Sequence, residues 1–385
     1  MRIFFCAGEP SGDLHGANLI RALRRLRPDL DCVGFGGERM AAAGCRLLYP
    51  LCRLALMWFA QVARNAPVFV RLLLQADRFF RRYRPDAVVL IDYPGFNWWL
   101  ARRAHAHGIP VFYFVPPQLW AWAGWRVCKM RRWVDHVLGT LPFEADWYRA
   151  RGVACHYIGH PYFDELANQR LDKAFVADQQ ARPGTVVGLL PGSRDLEIKR
   201  NLQTLLRSAA HIHAVRPDVR FLVACLHPWQ QRRVQEELRD GRLPVEVHAG
   251  RTPEIIHLAR ACIAVSGSVG LELLYRGKPS VVVYRVRPPD LFLGRLFKTC
   301  RFISLVNLLA DRELFPEFLT DRCEAEAIAG HVLRWLNDVS AYERLCRDLA
   351  ELRERVAVPG ACTRAAQYVL DTLNERQKDR GRAAG

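Results

Sequence analysis

The strongest constraint on the fold is a short segment near the middle of the chain, where an apolar run meets a glycine turn and a helical pattern. Residues 184–190 read G-T-V-V-G-L-L, which is typical of a buried strand, and residues 191–194 (P-G-S-R) form the turn. The following helix start would bring the backbone N–H groups of Gly192 and Ser193 and the guanidinium of Arg194 to one place, where a phosphate could bind. The segment therefore predicts an α/β domain in the second half of the chain that binds a phosphorylated ligand.

A second turn of the same kind follows the apolar run 261–265. Ser266, Gly267 and Ser268 have small side chains that would let a diphosphate approach the N-terminus of the next helix, whose dipole favours an anion. Glu272, one turn into that helix, could accept hydrogen bonds from the hydroxyls of a ribose. The alternative is a first-turn glutamate that only complements the helix dipole. Strands in this half are expected at 186–190, 220–225, 245–248, 261–265 and 280–284.

The first half of the chain also opens like an α/β domain. A strand is expected at 2–7, a glycine-rich loop at 8–16 (G-E-P-S-G-D-L-H-G) and a helix from about 17 to 26. Glu9 and Asp13 in the loop would repel an anion, and carboxylates there suit sugar hydroxyls better. A capping aspartate in a tight turn is an equal alternative.

Asp92 is the general-base candidate of the first half. The run 86–91 (D-A-V-V-L-I) predicts a buried strand that delivers Asp92 at its carboxyl end, where open parallel sheets collect their chemistry. The alternative is that Asp92 caps a helix that begins near Asn97. Further strands are expected at 31–35, 111–115 and 135–139.

Two stretches of the first half are rich in aromatic residues. After the strand 111–115, Trp120, Trp122 and Trp125 either line a sugar or acyl site or fill the core. The region 51–82 is helical, basic and apolar, which suits a membrane interface as well as it suits a core helix with a solvated arginine face.

Composition limits the class of protein. A chain of 385 residues predicts two domains, and a formal charge of +17 indicates an anionic partner: nucleic acid, lipid headgroups or a phosphorylated substrate. The chain has no uninterrupted apolar run long enough for a transmembrane helix, and its start is expected to be a strand rather than a secretory signal. Twelve cysteines without a C-x-x-C pair favour reduced thiols in a cytosolic protein, and we predict no metal site. No nucleic-acid-binding motif is found, so charge alone supports that alternative, which a gel shift would test.

Ten short motifs, taken together and in order, resemble the lipid-A-disaccharide synthase family. They are G-E-P-S-G-D-L-H-G-A (8–17), G-G-E-R-M (36–40), I-D-Y-P-G-F-N (91–97), P-Q-L-W-A-W (117–122), L-P-F-E (141–144), G-H-P (159–161), L-L-P-G-S-R (189–194), S-G-S-V-G-L-E (266–272), V-N-L-L-A (306–310) and P-E-F-L (316–319). The resemblance implies a glycosyltransferase B-type fold: two Rossmann-like α/β domains facing across a cleft, with a C-terminal helix that returns to the first domain. We expect an acceptor- and membrane-facing domain at 1–161, a UDP-sugar domain at 162–355, and a helix with a basic tail at 356–385.

The resemblance also implies an activity. The family joins a diacylglucosamine from its UDP carrier to the 6-hydroxyl of diacylglucosamine 1-phosphate, with inversion and without a metal or other cofactor. It implies a cytoplasmic enzyme on the anionic face of the inner membrane, often a dimer, with no nucleic-acid partner. Asp92 would be the base, and Arg194 with the turn 266–268 would stabilise the departing UDP. Further substrate contacts are expected from Glu9, Ser11, Asp13, Asn97, Gln118, Gly192, Ser193, Glu272 and Asn307.

The chain departs from the family pattern on the acceptor side. Gly95 stands where the family usually has a second aspartate, Trp58 and Gln61 replace a glycine and a glutamate, and Val306 replaces a proline. Acceptor identity and acyl length therefore stay open. Alternatives are a UDP-N-acetylglucosamine 2-epimerase, a peptidoglycan glycosyltransferase or a non-catalytic nucleotide-sugar binder, which assays with acylated and plain UDP-sugars would separate.

Overall fold

The computed structural model describes residues 1–55, 66–238, 243–289 and 300–384. The chain divides into two units: Met1–Asp164 with Val358–Gly385 form unit 1, and Glu165–Ala357 form unit 2. No helix among these described residues combines the length and the apolar character that a bilayer span requires. The sequence-based expectations for Trp58 and Gln61, and for the middle of the region 51–82, lie outside the described residues.

Unit 1 contains a seven-stranded sheet in the order β3-β2-β1-β4-β5-β6-β7, and every neighbouring pair is parallel. Its strands are β1 Arg2–Ala7, β2 Asp31–Phe35, β3 Arg46–Tyr49, β4 Ala87–Ile91, β5 Val111–Phe114, β6 His136–Gly139 and β7 Cys155–Tyr157. β4 and β5 are apolar and buried along their whole length, as strands covered on both faces should be. The carboxyl ends of the adjacent strands β1, β4 and β5 therefore lie together at one edge.

Helices cover both faces of this sheet. They are α1 Pro10–Leu26, α2 Glu38–Ala42, α3 Cys52–Ala55, α4 Ala66–Tyr83, α5 Pro94–Ala106, α6 Val127–Trp133 and α7 Pro142–Arg149. The next helix, α8 Pro161–Asn168, contains the division between the two units after Asp164. The alternation of β1 sends Phe4 to a core built with α4, α5, α6 and α7, and Phe5 to a core built with α1 and the C-terminal helix, Ala361–Ala384. The expected return of the C-terminal helix to the first domain is confirmed.

Unit 2 contains a six-stranded parallel sheet in the order β10-β9-β8-β11-β12-β13. Its strands are β8 Thr185–Leu190, β9 Val219–Cys225, β10 Val245–Ala249, β11 Ala261–Val265, β12 Ser280–Arg285 and β13 Glu317–Thr320. Its helices are α9 Lys173–Gln180, α10 Asp195–Val215, α11 Pro228–Glu237, α12 Thr252–Leu258, α13 Val269–Tyr275, α14 Leu305–Ala310, α15 Ala325–Asn337 and α16 Val339–Val356, and the helix Ala361–Ala384 of unit 1 is α17. The five strands predicted here are confirmed to within one residue at each end, and two parallel α/β domains confirm the fold class.

The glycine-rich loop predicted at 8–16 is wrong. α1 begins at Pro10, because proline suits the first helical turn, and Gly12 and Gly16 of the predicted loop lie inside the helix. A side chain at Gly16 would come within 2.8 Å of Ile91 and 2.9 Å of Met40, so glycine allows α1 to pack closely on β4 and α2. Similarly, α5 begins at Pro94 and not near Asn97.

Three strands were not predicted. β3, β7 and β13 have only three or four residues each, and most of their side chains are partly exposed. The apolar pattern that marks a buried strand is therefore weak in all three.

Candidate functional site

The turn after β8 holds the first group of predicted phosphate-binding residues. Gly192 has φ 107°, and a side chain there would come within 2.7 Å of Glu197, so the turn requires glycine. The Glu197 carboxylate accepts the backbone N–H groups of Ser193 at 3.0 Å and Arg194 at 3.1 Å. We expected the N–H groups of Gly192 and Ser193 to be available to a phosphate. For Ser193 this expectation is wrong in this arrangement, since Glu197 already occupies its N–H group.

The Arg194 guanidinium itself is accessible. Its side chain is 73% exposed, and its contact with Glu197 is long, at 3.4 Å. The buried Gln230 donates to the Ser193 carbonyl at 2.8 Å, which fixes the turn against the start of α11. Arg194 is thus an accessible cation on a turn that is held by hydrogen bonds.

The turn after β11 lies beside the first one, because β8 and β11 are neighbours in the sheet. Gly267 and Ser268 are exposed, and a side chain added at Gly267 would meet no atom within 4 Å. Ser266 donates from Oγ to the Ile303 carbonyl at 3.0 Å. The structure therefore brings Gly192, Arg194 and the 266–268 turn to the same edge of unit 2, with open space above Gly267.

Glu272, the predicted ribose contact, is 2% exposed and forms an ion pair with Arg276 at 3.0 Å. Arg276 also donates to Gln169. The Glu272 carboxylate is therefore held by buried ionic contacts next to the 266–268 turn. It does more than complement the helix dipole, which was the alternative to a ribose contact.

Asn307 is fully buried, and its amide is saturated within the protein. It accepts the N–H groups of Leu314 at 2.8 Å and Phe315 at 2.9 Å, and it donates to the Phe315 carbonyl at 2.7 Å and to Glu317 at 2.8 Å. An asparagine amide has two donor and two acceptor positions, so no position remains for a ligand. The predicted substrate contact is corrected to a structural role.

In unit 1, Asp92 lies at the carboxyl end of β4, where the sequence placed it, and is half-buried. Asp92, Tyr93 and Val115 have φ values of 45°, 47° and 53°, in the left-handed region that residues with side chains seldom adopt. Such strain tends to occur at functional sites. Asp92 precedes Tyr93, which is the residue at the N-cap of α5.

Two buried side chains fix the backbone of Asp92. Asn97 donates from Nδ2 to the Asp92 carbonyl at 2.7 Å and to the Ile91 carbonyl at 3.3 Å. The hydroxyl of Tyr113 in β5 donates to the same Asp92 carbonyl at 2.7 Å. Asn97, predicted as a substrate contact, is completely buried and acts here by positioning Asp92.

The residues after β1 serve different roles. Asp13 is buried and accepts the N–H groups of Gly37, Arg39 and Met40 at 2.9–3.1 Å, so it caps α2, which is the capping alternative. Glu9 is half-buried and Ser11 is exposed at the start of α1. These two remain accessible candidates for a substrate.

Of the three tryptophans after β5, one is buried and two are exposed. Trp120 is buried and donates to Glu144 at 3.1 Å, whereas Trp122 and Trp125 are 57% and 68% exposed. Arg126 lies 5.4 Å and 5.3 Å from the ring centres of Trp122 and Trp125. Gln118, in the same segment, is exposed. Exposure excludes the core role for Trp122 and Trp125 and leaves the sugar or acyl site as the prediction for these two.

Several site residues were missed from the sequence. Tyr93 packs against Gly8 so closely that a side chain there would overlap its ring, and burial raises the pKa of Tyr93 to about 12. His15 and His160 form an edge-to-face pair with ring centres 6.1 Å apart, and burial lowers their pKa values to about 4 and about 3. Glu197 could have been found, because a glutamate three residues after a helix cap is a capping signal.

At Gly95, where the family pattern has an aspartate, the residue is exposed and an added side chain would meet no atom within 4 Å. Among the described residues, no group of three or more histidines, cysteines and carboxylates is arranged to hold a metal ion.

Comparison with known proteins gives matches along nearly the whole chain. A family model described as lipid-A-disaccharide synthetase matches residues 3–370. A lipid-A-disaccharide synthase of Myxococcus xanthus (strain DK1622) is 37% identical over 374 residues, which are 97% of each chain. One of Geobacter sulfurreducens is 34% identical over 376 residues, which are 97% of this chain and 98% of that protein.

Solved structures resemble the chain at lower identity. A co-structure of MnaA from S. aureus with UDP has a TM-score of 0.66 at 12% identity and covers 97% of both chains. UGT71G1 of Medicago truncatula, complexed with UDP-glucose, has a TM-score of 0.60 at 13% identity and covers 97% of this chain and 98% of that one. At such identities the likeness supports the fold.

Proposed function

The chain belongs to the lipid-A-disaccharide synthetase family, and from this premise we propose that it transfers 2,3-diacylglucosamine from UDP to the 6-hydroxyl of 2,3-diacylglucosamine 1-phosphate. The products are a β-1,6-linked disaccharide 1-phosphate and UDP, with inversion at the anomeric carbon. The observation that carries this proposal is the family match, which spans both units and every predicted site residue.

Unit 2 would bind the UDP part of the donor. Since Glu197 occupies the N–H groups of Ser193 and Arg194, we assign the diphosphate to the Arg194 guanidinium and the 266–268 turn. The open space above Gly267 supports this assignment. Fixed donors of this kind typically stabilise a developing negative charge by about 3–4 kcal/mol each.

Unit 1 would supply the base. The Asp92 carboxylate would take the proton of the acceptor hydroxyl while the hydroxyl oxygen attacks the anomeric carbon of the donor sugar. As the new bond forms, the bond from that carbon to the diphosphate breaks, and its electron pair leaves with UDP. The backbone of Asp92, held by Asn97 and Tyr113, supports this role because a base must be placed within hydrogen-bond reach of the proton it takes.

We place the enzyme on the cytoplasmic, anionic face of a membrane, and one basic aromatic face of unit 1 supports this. Trp99, Trp122 and Trp125 are all more than half exposed, on or near helices that share one core, and Arg126 lies over two of them. These elements carry four arginines on α4, two on α5 and four cations at 124–133, against one carboxylate, Asp77. Exposed tryptophan beside arginine suits the interface of an anionic bilayer.

Vesicle binding tests this placement. We expect the Trp122→Ala, Trp125→Ala double variant to lose most binding to vesicles containing phosphatidylglycerol. The control Trp229→Ala, whose tryptophan is 48% exposed in unit 2, should bind normally. Equal binding by both variants would contradict the assignment.

The family resemblance also implies a homodimer, and a monomer in sedimentation velocity would contradict it.

A transfer assay tests the proposed function. The purified protein, given UDP-diacylglucosamine and radiolabelled diacylglucosamine 1-phosphate in detergent with EDTA, should form labelled disaccharide. It should leave plain UDP-N-acetylglucosamine unchanged. Epimerisation of the plain sugar without disaccharide would favour the epimerase alternative, and dependence on a divalent cation would contradict the metal-free mechanism.

A further inference from the structure

Two side chains of α7 fasten the segment 116–126, which joins β5 to α6. The Tyr148 hydroxyl donates to the Pro117 carbonyl at 2.8 Å, and Trp120 donates from Nε1 to Glu144 Oε1 at 3.1 Å. Glu144 and Tyr148 are four residues apart, so they lie on one face of the helix. Gln118 lies between the two fastened residues and is exposed.

Glu144 ties this segment to the sheet as well. Its other oxygen accepts the Thr140 N–H at 2.9 Å and the Thr140 hydroxyl at 3.3 Å, at the end of β6. Trp120 also packs edge-on against Phe143, with ring centres 4.8 Å apart. The carboxylate thus links β6, α7 and the segment that carries Gln118.

The same segment begins beside the proposed base. The Asp92 N–H lies 3.3 Å from the Val115 carbonyl, and Tyr113 donates to the Asp92 carbonyl. Movement of the segment after β5 would therefore disturb Gln118 and the surroundings of Asp92 together.

A carboxylate at this place is costly. Glu144 is 1% exposed, and burial raises its pKa to about 7 against the opposing hydrogen bonds from Thr140, Trp120 and Leu141. The neighbouring titratable groups, Tyr148 and Cys155, are neutral near that pH because burial raises their pKa values far above it. An apolar side chain would fill the space without this cost, so the carboxylate suits a positioning role.

We propose that Glu144, acting through Trp120, is a positioning residue that holds Gln118 in place for the sugar acceptor and leaves nucleotide binding unaffected. This inference rests on the proposed function for the identity of the acceptor. Replacement of either partner breaks the Glu144–Trp120 hydrogen bond and releases the segment from α7 at that point, which should lower the population of the binding-competent segment by about tenfold or more.

Calorimetry tests the inference without turnover. The dissociation constants of detergent-solubilised diacylglucosamine 1-phosphate and of UDP are measured separately for the unsubstituted protein and for Trp120→Phe, Glu144→Ala and Glu144→Gln. Trp120→Phe and Glu144→Ala should weaken acceptor binding about tenfold and leave UDP binding within about twofold. Glu144→Gln, which can still accept one hydrogen bond from Trp120, should recover part of the acceptor affinity. The matched control Asp146→Asn removes an exposed carboxylate of the same helix and should change neither.

Thermal unfolding of each variant separates positioning from folding. Folded variants with unchanged acceptor affinity would overturn the inference, and so would equal losses of acceptor and UDP affinity. Absence of acceptor binding by the unsubstituted protein would also overturn it. If acceptor binding follows the expected pattern but no disaccharide forms, the proposed function fails while the role of Glu144 stands.

Discussion

Replacement of Asn307 by alanine should destabilise unit 2 strongly, although the residue was predicted from the sequence as a substrate contact. The side chain bridges α14 to the chain just before β13, with four hydrogen bonds of 2.7–2.9 Å and no exposed surface. Asn307→Ala leaves the N–H groups of Leu314 and Phe315 and the carbonyl of Phe315 without these partners. The Glu317 carboxylate still accepts hydrogen bonds from the N–H groups of Ile303 and Ser304, so it is not left without partners.

The size of the effect follows from these three orphaned groups. Each unsatisfied buried backbone group costs about 1–1.5 kcal/mol, so the free energy of unfolding should fall by about 4 kcal/mol. For a unit of this size that corresponds to a fall in melting temperature of about 8–16 °C. A water molecule that entered the vacated space would reduce the loss, because it could serve part of the same groups.

Urea unfolding followed by circular dichroism measures this loss. Asn337→Ala is the matched control, because Asn337 lies in the same unit, is exposed and makes one surface hydrogen bond with Arg216. The control should change the free energy of unfolding by less than about 0.5 kcal/mol. A loss below about 1 kcal/mol for Asn307→Ala would show that these four hydrogen bonds contribute little to the stability of unit 2. Normal stability with lost substrate binding would restore the original substrate role.

Four further outcomes are expected. Asp92→Ala should lower kcat by about 10²- to 10⁴-fold while UDP binding survives, and comparable turnover would remove Asp92 from the mechanism. Arg194→Ala should weaken UDP as well as turnover, so unchanged UDP affinity would argue against its assignment. Gly267→Ala should weaken UDP binding without loss of stability, because its methyl group enters open space, and a stability loss would show that this space is not free. Burial lowers the pKa values of His15 and His160 from 6.5 to about 4 and about 3, so the unfolded chain binds more protons below pH 6.5. Stability from this pair is therefore complete above pH 6.5 and is lost as the pH falls from 6.5 towards 3. A free energy of unfolding that does not change between pH 7 and pH 5 would contradict this contribution from the two histidines.

The strands that carry the two candidate sites were predicted correctly from the sequence, and parallel strands place their carboxyl ends together. The strand before Asp92 and the strands before Gly192 and Ser266 are continuous apolar runs, and such runs identify buried strands reliably. The turn that follows each run then falls at the functional edge without any knowledge of the rest of the fold.

The hydrogen-bond partners within the sites could not be predicted in the same way. Asp13 binds N–H groups more than twenty residues away, and its pattern in the sequence is the same for a capping residue and a sugar ligand. The left-handed backbone of Asp92 depends on Tyr113, which belongs to another strand. Only the capture of N–H groups by Glu197 was local enough to be visible in the sequence.

A crystal soaked with UDP shows where the nucleotide binds, and we assign it to one edge of unit 2. We expect the diphosphate beside residues 192–194 and 266–268, with the Arg194 side chain turned from Glu197 towards a phosphate oxygen. UDP bound anywhere else on the protein, or in that place without contact to either turn, would contradict the assignment of the nucleotide to these two turns.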